Sequence, residues 1–260
     1  DPSQYGLSRA LGGVEVTPLE LTTAYAVLSN GGVYVPSTPI RCVTNSDGEI
    51  LYEYEQGCPG DARLTDCSIS VNATGRQVLD ERIAFVISSM LSDNAARTPA
   101  MGSESPMLLD FPAAAKTGTT NDYRDNWTVG YTPHLVIAVW AGNTDDTPMA
   151  EGTSGLTGAA PIWHDTMTAF YNMPGIEQRL GATGVPLRSD FTPPPGVESR
   201  QVCVLSSLVD PAPAEGGCPR QRAEWFLVGG LDPSIPPTAV PPPTPVPTLA
   251  PQPGEEDVPE

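Results

Sequence analysis

Apolar and polar positions alternate most regularly in the central part of the chain. Runs of β-branched and aromatic residues are separated there by turn-forming Asn, Asp, Gly and Pro, which is typical of strands joined by tight connections. The pattern predicts three consecutive antiparallel strands over residues 113–120, 126–132 and 134–141.

A different periodicity, with apolar residues three and four positions apart, predicts a helix over residues 17–29. Thr17 is a suitable N-cap, Pro18 suits the first helical position and Glu20 can complete a capping box. The sequence Asn-Gly-Gly at 30–32 should end the helix. We expect the apolar side of this helix to belong to the core.

The same spacing predicts two further amphipathic helices. One should begin after the N-cap Asp80 and end near residues 93–96, and the other should span 161–172. The faces expected to be buried comprise Ile83, Val86, Ile87, Met90 and Leu91 in the first, and Trp163, Met167, Phe170 and Tyr171 in the second.

The remaining segments have turn or loop character. Asn45, Asp47 and Gly48 indicate a hairpin turn between short strands at 39–43 and 50–52. Polar loops are expected over residues 55–77, 97–112 and 143–158.

The composition changes beyond residue 175, which suggests a division of the chain. Residues 1–175 should form the main folded unit, and 176–232 a small appendage with one pair of strands at 202–205 and 225–228. Residues 233–260 contain eleven prolines. Such a tail cannot bury enough apolar surface to fold and is expected to be disordered.

Charge narrows the possible partners of the chain. Its 260 residues contain 31 acidic and 13 basic side chains, for a net charge of −18. Nucleic acids and anionic membrane surfaces both require a basic footprint, so neither is an expected partner. The chain begins at Asp1 and contains no signal peptide or transmembrane segment, and we expect it to be a fragment or a processed chain.

Five cysteines are present. Cys58 and Cys67 bracket one polar loop, Cys203 and Cys218 bracket another, and either pair could form a disulfide in an oxidising compartment. Cys42 would then be left unpaired. Alternatively, all five are reduced. With no C-x-x-C motif and two histidines, the sequence does not favour a metal site.

Lys116 is the only lysine of the chain and lies within the first of the three predicted central strands. Side chains alternate between the faces of a strand, so Lys116 and Gly118 should share one face and Thr117 and Thr119 the other. Gly118 would allow a ligand or another backbone to approach closely. A short Lys-Thr-Gly sequence alone could equally be a solvated edge strand.

The longer segment around this lysine carries a family resemblance. Residues 115–133, which read AKTGTTNDYRDNWTVGYTP, resemble the third-motif strand and hairpin of class A penicillin-binding proteins. Residues 6–20 and 158–163 are also similar to that family, in the same order. Its members are bifunctional enzymes that polymerise and cross-link peptidoglycan, with a glycosyltransferase domain upstream of the transpeptidase.

The resemblance implies an α/β (α+β) fold of the penicillin-binding transpeptidase and serine β-lactamase type, here as an incomplete C-terminal portion. The family needs a nucleophilic Ser three residues before a Lys. With its single lysine at 116, the chain would require Ser at 113, which is Ala113. We therefore expect the nucleophile and two of the three motifs upstream of residue 1, and the isolated chain to be inactive.

The resemblance also assigns roles to the strand. Lys116 would favour proton transfer near the upstream serines, and the hydroxyls of Thr117 and Thr119 would bind the carboxylate of the acyl donor or a β-lactam. The backbone N–H of Thr119 would be an oxyanion-hole donor. Gly118, which has no side chain, would leave room for the substrate beside the strand.

The hairpin that follows this strand is expected to have a structural role. Arg124 should form a surface ion pair with its neighbours Asp122 and Asp125. No cofactor is implied for the reaction.

The partners implied by the resemblance are peptidoglycan stem peptides and β-lactams. The full-length protein would lie outside the cytoplasm, held to the cell membrane only through an N-terminal anchor missing from this chain. Two alternatives remain open: a D,D-carboxypeptidase or serine β-lactamase relative, and a non-enzymatic cell-wall-binding module.

Overall fold

The computed structural model describes residues 15–37, 40, 42–47, 49–53, 75–180, 186–203 and 221–229. The helices are α1 (Pro18–Ser29), α2 (Glu81–Ser92), α3 (Asn94–Met101), α4 (Ala159–Tyr171) and α5 (Ile176–Arg179). The strands are β1 (Val33–Tyr34), β2 (Cys42–Thr44), β3 (Ile50–Glu53), β4 (Arg76–Gln77), β5 (Ala114–Thr119), β6 (Asp125–Tyr131), β7 (Val136–Gly142), β8 (Val197–Cys203) and β9 (Gln221–Leu227). No helix within the described ranges is long and apolar enough to cross a membrane.

Helix α1 begins with the predicted capping box. The Thr17 hydroxyl accepts from the Glu20 N–H at 3.2 Å, and the Glu20 carboxylate accepts from the Thr17 N–H at 2.8 Å. This backbone bond lowers the pKa of Glu20. Such a cap stabilises a helix by about 1 kcal/mol. Asn30 ends the helix as predicted, and positive φ values at Gly31 and Gly32 turn the chain away.

The core role expected for α1 is only partly correct. The helix contacts β6 and β7, but none of its residues is fully buried. Thr22 and Thr23 interrupt its apolar side, and their hydroxyls bond to the carbonyls of Pro18 and Leu19 within the helix.

Helix α2 begins after the predicted N-cap Asp80, but a different face is buried. Its buried residues are Ala84, Phe85 and Ser88, whereas Met90 is 66% exposed. The five residues predicted to form the buried face, Ile83, Val86, Ile87, Met90 and Leu91, are therefore not its buried set. Small side chains at 84 and 88 allow α2 to approach β5 closely, which the apolar pattern alone could not indicate.

Helix α3 occupies part of the segment that was predicted to be a loop over 97–112. Asp93 caps it by accepting from the Ala96 N–H at 2.9 Å, and the Thr98 hydroxyl bonds to the Asn94 carbonyl at 2.7 Å. Pro99 lies inside the helix. Because proline usually ends a helix, the sequence did not indicate a helix that contains Pro99.

The three predicted central strands are confirmed as one antiparallel sheet in the order β5-β6-β7. Lys116 pairs with Val129, and Thr119 pairs with Asn126, without a register shift along the hairpin. The sheet has helices on both faces, because Gly130 contacts Trp163 of α4 while the next residue, Tyr131, contacts α1 and α2.

Helix α4 packs on the face of the sheet that carries Gly130. A Cβ at Gly130 would lie 2.2 Å from the Trp163 ring, so glycine is required for this contact. Trp163 and Met167 are fully buried, as predicted, in a cluster with Phe111 and Tyr171. The rings of Phe111 and Tyr171 lie 4.6 Å apart.

On the opposite face, Tyr131 contacts α1 and α2. Its ring lies 6.1 Å from that of Tyr25, and its hydroxyl lies 3.0 Å from the Ser88 hydroxyl. Burial raises the pKa of Tyr131 to about 12, although the bond to Ser88 lowers it.

This burial predicts a loss of stability at alkaline pH. In the unfolded chain Tyr131 ionises near pH 10, whereas the folded chain holds its proton until about pH 12. Its contribution is thus complete below pH ~10 and is lost as pH rises towards ~12. Urea unfolding across that range should show a falling free energy of unfolding, with a smaller fall in Tyr131→Phe. An equal fall in both proteins would contradict this assignment.

The peripheral strands form separate two-stranded sheets, β1-β4, β2-β3 and β8-β9. The β2-β3 hairpin has the predicted turn, in which the Asn45 side chain accepts from the N–H groups of Asp47 and Glu49 at 3.0 and 2.8 Å. The appendage contains one pair of strands, as predicted, but they are β8 and β9 rather than 202–205 and 225–228, and Val202 pairs with Arg222. Trp225 of β9 packs on Phe85 of α2 with ring centroids 5.2 Å apart.

One cysteine expectation is wrong, because Cys42 is disulfide-bonded rather than left unpaired. Since it takes one of the other four cysteines, at most one of the two predicted pairs, Cys58–Cys67 and Cys203–Cys218, can form. The side chains of those four residues lie outside the described part of the chain, as does the Pro-rich segment 233–260.

Candidate active site

Strand β5 presents one edge that no described strand covers. The Thr120 N–H donates to the Asp125 carbonyl at 3.1 Å, so these residues form a hydrogen-bonded pair that continues the β5-β6 register. Hydrogen-bonded and non-hydrogen-bonded pairs alternate along an antiparallel ladder. The N–H and C=O groups of Thr117 and Thr119 therefore point away from β6, towards the open edge.

Lys116 lies beside this open edge. Its side chain is exposed, and its ammonium donates to the Thr117 carbonyl, which agrees with the direction derived from the register. The edge thus combines a positive charge with an outward carbonyl at Thr117 and an outward N–H at Thr119.

Thr119 is oriented by the loop between β7 and α4. The Gly155 N–H donates to the Thr119 hydroxyl oxygen at 3.0 Å, and the Gly155 carbonyl accepts from the Thr128 hydroxyl at 3.0 Å. A hydroxyl that accepts one bond can still donate another. The Thr119 O–H is therefore free to donate, and the Thr117 hydroxyl makes no bond to any described residue.

Gly155 is essential to this arrangement. A Cβ at this position would lie 2.5 Å from the carbonyl oxygens of both Gly118 and Trp127, so no larger residue fits without displacing the strands. Thr128 is the register partner of Thr117, and both Thr128 and Thr119 bond to Gly155. Thr117 and Thr119 therefore share the face of the sheet that Gly155 contacts, as predicted.

Gly118 lies over Trp127, its register partner on β6. A Cβ at Gly118 would meet the Trp127 Cβ at 3.3 Å. Beside it, the Trp140 indole N–H donates to one oxygen of the Asp125 carboxylate at 2.8 Å, while the Thr120 hydroxyl donates to the other at 3.0 Å. These bonds fix the end of the hairpin next to Thr119.

The hairpin loop contains a strained backbone. Asp122 and Tyr123 have φ values of 59° and 55°, a conformation that costs about 1–3 kcal/mol for a residue other than glycine. The Met149 N–H donates to the Tyr123 carbonyl at 3.0 Å and anchors this loop to the next one.

The ion pair predicted for Arg124 has a different partner. Its guanidinium lies 3.2 Å from the Asp146 carboxylate and also donates to the Asp146 carbonyl. Asp146 itself has a φ of 60°. Asp122 and Asp125, the predicted partners of Arg124, therefore do not form this ion pair.

Neither a metal site nor a cavity in the described part of the chain involves the β5 edge. Among the described residues, no cluster of three or more His, Cys, Asp or Glu could hold a metal ion. Two cavities, of about 360 and 320 Å³, are lined by other residues than Lys116–Thr119.

Sequence reasoning missed Gly155, Thr128 and Asp146 as supports of the site. Their contacts join residues that are 22 to 36 positions apart, and no local pattern marks them. The loop over 143–158 was predicted, but its glycine gave no sign of which strand it would approach.

Comparison with known proteins identifies relatives over most of the chain. Residues 3–168 match the family model described as penicillin binding protein transpeptidase domain. The chain is 32% identical over 166 residues to penicillin-binding protein 1A of Aquifex aeolicus, covering 64% of this chain and 20% of that protein. It is 36% identical over 163 residues to penicillin-binding protein 1A of Neisseria cinerea, covering 62% and 18%.

A solved structure supports the fold independently. The crystal structure of penicillin-binding protein 1A from Haemophilus influenzae matches with a TM-score of 0.57 at 21% identity, over 88% of this chain and 35% of that one. The α+β fold expected from the sequence is confirmed. The chain spans about a fifth of the length of the curated relatives that it matches.

Proposed function

The chain belongs to the penicillin-binding protein transpeptidase family, and on that premise we propose that it supplies the substrate-binding strand of a peptidoglycan D,D-transpeptidase. The observation that carries the proposal is the open edge of β5. There an extended peptide can pair with the outward Thr117 carbonyl and Thr119 N–H, beside the ammonium of Lys116.

Each group on this edge has a part in acyl transfer. The Thr119 N–H donates to the oxyanion that develops on the attacked carbonyl, a contribution of about 3–4 kcal/mol in comparable oxyanion holes. The Lys116 ammonium attracts the carboxylate of the donor peptide or β-lactam, and the hydroxyls of Thr117 and Thr119 donate to it. Gly118 leaves room for the bound backbone.

The nucleophile is proposed to be a serine in a part of the protein that precedes residue 1. The single lysine of the chain has Ala113 three residues before it, so a Ser-x-x-Lys motif has to come from elsewhere. The serine oxygen forms an ester with the donor carbonyl and breaks its amide bond. An acceptor amine then attacks the ester, forms the cross-link and releases the serine.

Two other functions compete with this one. A carboxypeptidase or serine β-lactamase relative would use the same strand but pass the acyl group to water. A non-enzymatic cell-wall module would bind through the strand without acylation. The long match to penicillin-binding protein 1A relatives favours the transpeptidase.

We propose the same cellular setting as that expected from the sequence. The protein would act outside the cytoplasm on peptidoglycan stem peptides, and it would be inhibited by β-lactams. In this proposal the full-length protein is anchored in the cell membrane.

Acylation by a fluorescent penicillin tests the proposal. The full-length protein should be labelled stoichiometrically, and the isolated 260-residue chain should not, because none of its serines stands three residues before a lysine. Labelling of the isolated chain would overturn the assignment of the nucleophile. Absence of labelling in the folded full-length protein would instead favour the non-enzymatic module.

A further inference from the structure

Thr128 is a fully buried polar residue in the middle of β6. It lies on the face of the sheet that the loop between β7 and α4 contacts. Burying a hydroxyl costs free energy unless a hydrogen bond compensates for the lost water. The bonds of this hydroxyl therefore indicate what a polar side chain contributes at this position.

Two carbonyl oxygens lie within reach of the Thr128 hydroxyl, that of Trp127 at 2.9 Å and that of Gly155 at 3.0 Å. Gly118 and Trp127 form a hydrogen-bonded pair of the β5-β6 ladder, because such pairs alternate from Thr120–Asp125 onwards. The sheet therefore holds the Trp127 carbonyl without Thr128. The Gly155 carbonyl accepts otherwise from the Ala160 N–H of α4, at 2.8 Å, so Thr128 is what ties this carbonyl to the sheet.

A second buried polar residue of β6 supports the same loop. Asn126 is fully buried, and its Nδ2 donates to the Thr153 carbonyl at 3.4 Å. A Cβ at Gly158 would lie 2.7 Å from the Asn126 Oδ1, which shows how closely the loop packs. The loop thus rests on two polar side chains of one strand, two residues apart.

Gly155 passes this constraint to Thr119. Its N–H donates to the Thr119 hydroxyl oxygen at 3.0 Å. A hydroxyl that accepts from one side directs its proton elsewhere, and Thr119 is exposed. The backbone of Gly155 therefore connects the buried hydroxyl of Thr128 to the exposed hydroxyl of Thr119.

We propose that Thr128 is a positioning residue that acts through Gly155. It directs the Thr119 hydroxyl towards the acyl donor and so increases the preference of the β5 edge for a donor with a free carboxylate. A charged carboxylate accepts a stronger hydrogen bond than a neutral ester does, so a directed O–H donor favours the carboxylate. The inference rests on the proposed transpeptidase function and adds a determinant of its substrate specificity.

Thr128→Val in the full-length protein tests the positioning role. Valine keeps the shape and removes the hydroxyl, and the Gly155 carbonyl retains its bond from Ala160. The second-order rate of acylation by a labelled penicillin should fall about threefold to tenfold, the usual net contribution of one hydrogen bond. Thr128→Ser keeps the hydroxyl and should stay within about twofold of the unmodified rate. An unchanged rate in Thr128→Val, or equal losses in both variants, refutes the role.

A double-mutant cycle with Thr119→Val separates positioning from a general structural effect. If Thr128 acts through Thr119, then Thr128→Val should cause no further loss of rate once the Thr119 hydroxyl is absent. Losses that multiply in the double variant would show that Thr128 acts by another route and would overturn the proposal.

The methyl ester of the same penicillin tests the specificity. Thr128→Val should slow acylation by the free acid more than acylation by the ester, which lowers the ratio of the two rates about threefold or more. A purely structural role would slow both compounds equally, and that result would contradict the proposal.

Thr132→Val is the matched control. Thr132 is also fully buried and follows β6 at the end remote from Thr119, where its hydroxyl oxygen accepts from the N–H groups of His134 and Leu135 at 3.1 and 3.2 Å. The folded variant should label at the unmodified rate, and a loss equal to that of Thr128→Val would refute a specific role for Thr128. If Thr128→Val does not fold, Thr128→Ser and Thr128→Ala, which differ by the hydroxyl alone, decide the test. Serine should label about threefold faster or more, and equal rates would refute the role.

The same measurements distinguish this inference from the function on which it rests. A folded full-length protein that no penicillin labels overturns the proposed function and the role of Thr128 together. A protein that is labelled at a rate independent of the Thr128 hydroxyl overturns the positioning role and leaves the proposed function intact.

Discussion

Replacing Lys116 with alanine should slow acylation of the full-length protein by a labelled penicillin about a hundredfold or more. The side chain is the only ammonium that this chain brings to the β5 edge, where it donates to the Thr117 carbonyl. Its loss removes positive charge where a carboxylate has to bind and a proton has to move. The second-order rate of labelling is the quantity to measure.

The controls for this prediction separate charge from geometry. Lys116→Arg keeps the charge but spreads it over a planar fork, so it should recover only part of the rate. Arg200→Ala removes an exposed cation from β8 and should label at the unmodified rate. If Lys116→Ala also labels at that rate, this strand is not part of the active site.

Replacing Thr119 with proline should reduce labelling by about a hundredfold to a thousandfold, the usual loss for one oxyanion-hole donor. The Thr119 N–H points to the open edge of β5 rather than to β6, as the Thr120–Asp125 pair indicates. Proline removes that N–H without removing a bond of the ladder, and prolines are tolerated on edge strands for this reason.

The control for Thr119→Pro is Thr119→Val, which removes the hydroxyl but keeps the backbone N–H. Valine has nearly the same shape and keeps the N–H, but it loses the hydroxyl that accepts from Gly155 and can donate to a carboxylate. Its loss of rate should be smaller than that of proline. Equal rates for the two variants, with both shown to be folded by thermal unfolding, would exclude the Thr119 N–H as an oxyanion donor.

Local patterns predicted the capping box, the Asn45 turn and the central hairpin, because the stabilising contacts of these elements are close in sequence. The capping box of Thr17 and Glu20 joins residues three apart, and the Asn45 turn closes within five residues. The strands around Lys116 were predicted because hairpin partners follow one another along the chain and β-branched residues alternate with polar ones. Their order as one antiparallel sheet required no information from distant segments.

Tertiary contacts decided what the local pattern could not. The apolar spacing of α2 indicated one face, but contact with β5 selects the face with the small residues Ala84 and Ser88. Arg124 pairs with Asp146 rather than with its neighbours, and Cys42 is bonded rather than left over. Each outcome depends on which distant segment packs closely enough to compete with a neighbour in sequence.

The sequence by itself determined the strand that carries Lys116, Thr117, Gly118 and Thr119, because alternation and a motif are properties of neighbouring residues. The direction of the Thr119 N–H and the orientation of its hydroxyl were decided only by the tertiary structure. They depend on the register with β6 and on Gly155, which lies 36 residues further along the chain. A hydrogen bond requires correct distance and direction between two atoms, and for distant residues packing alone supplies both.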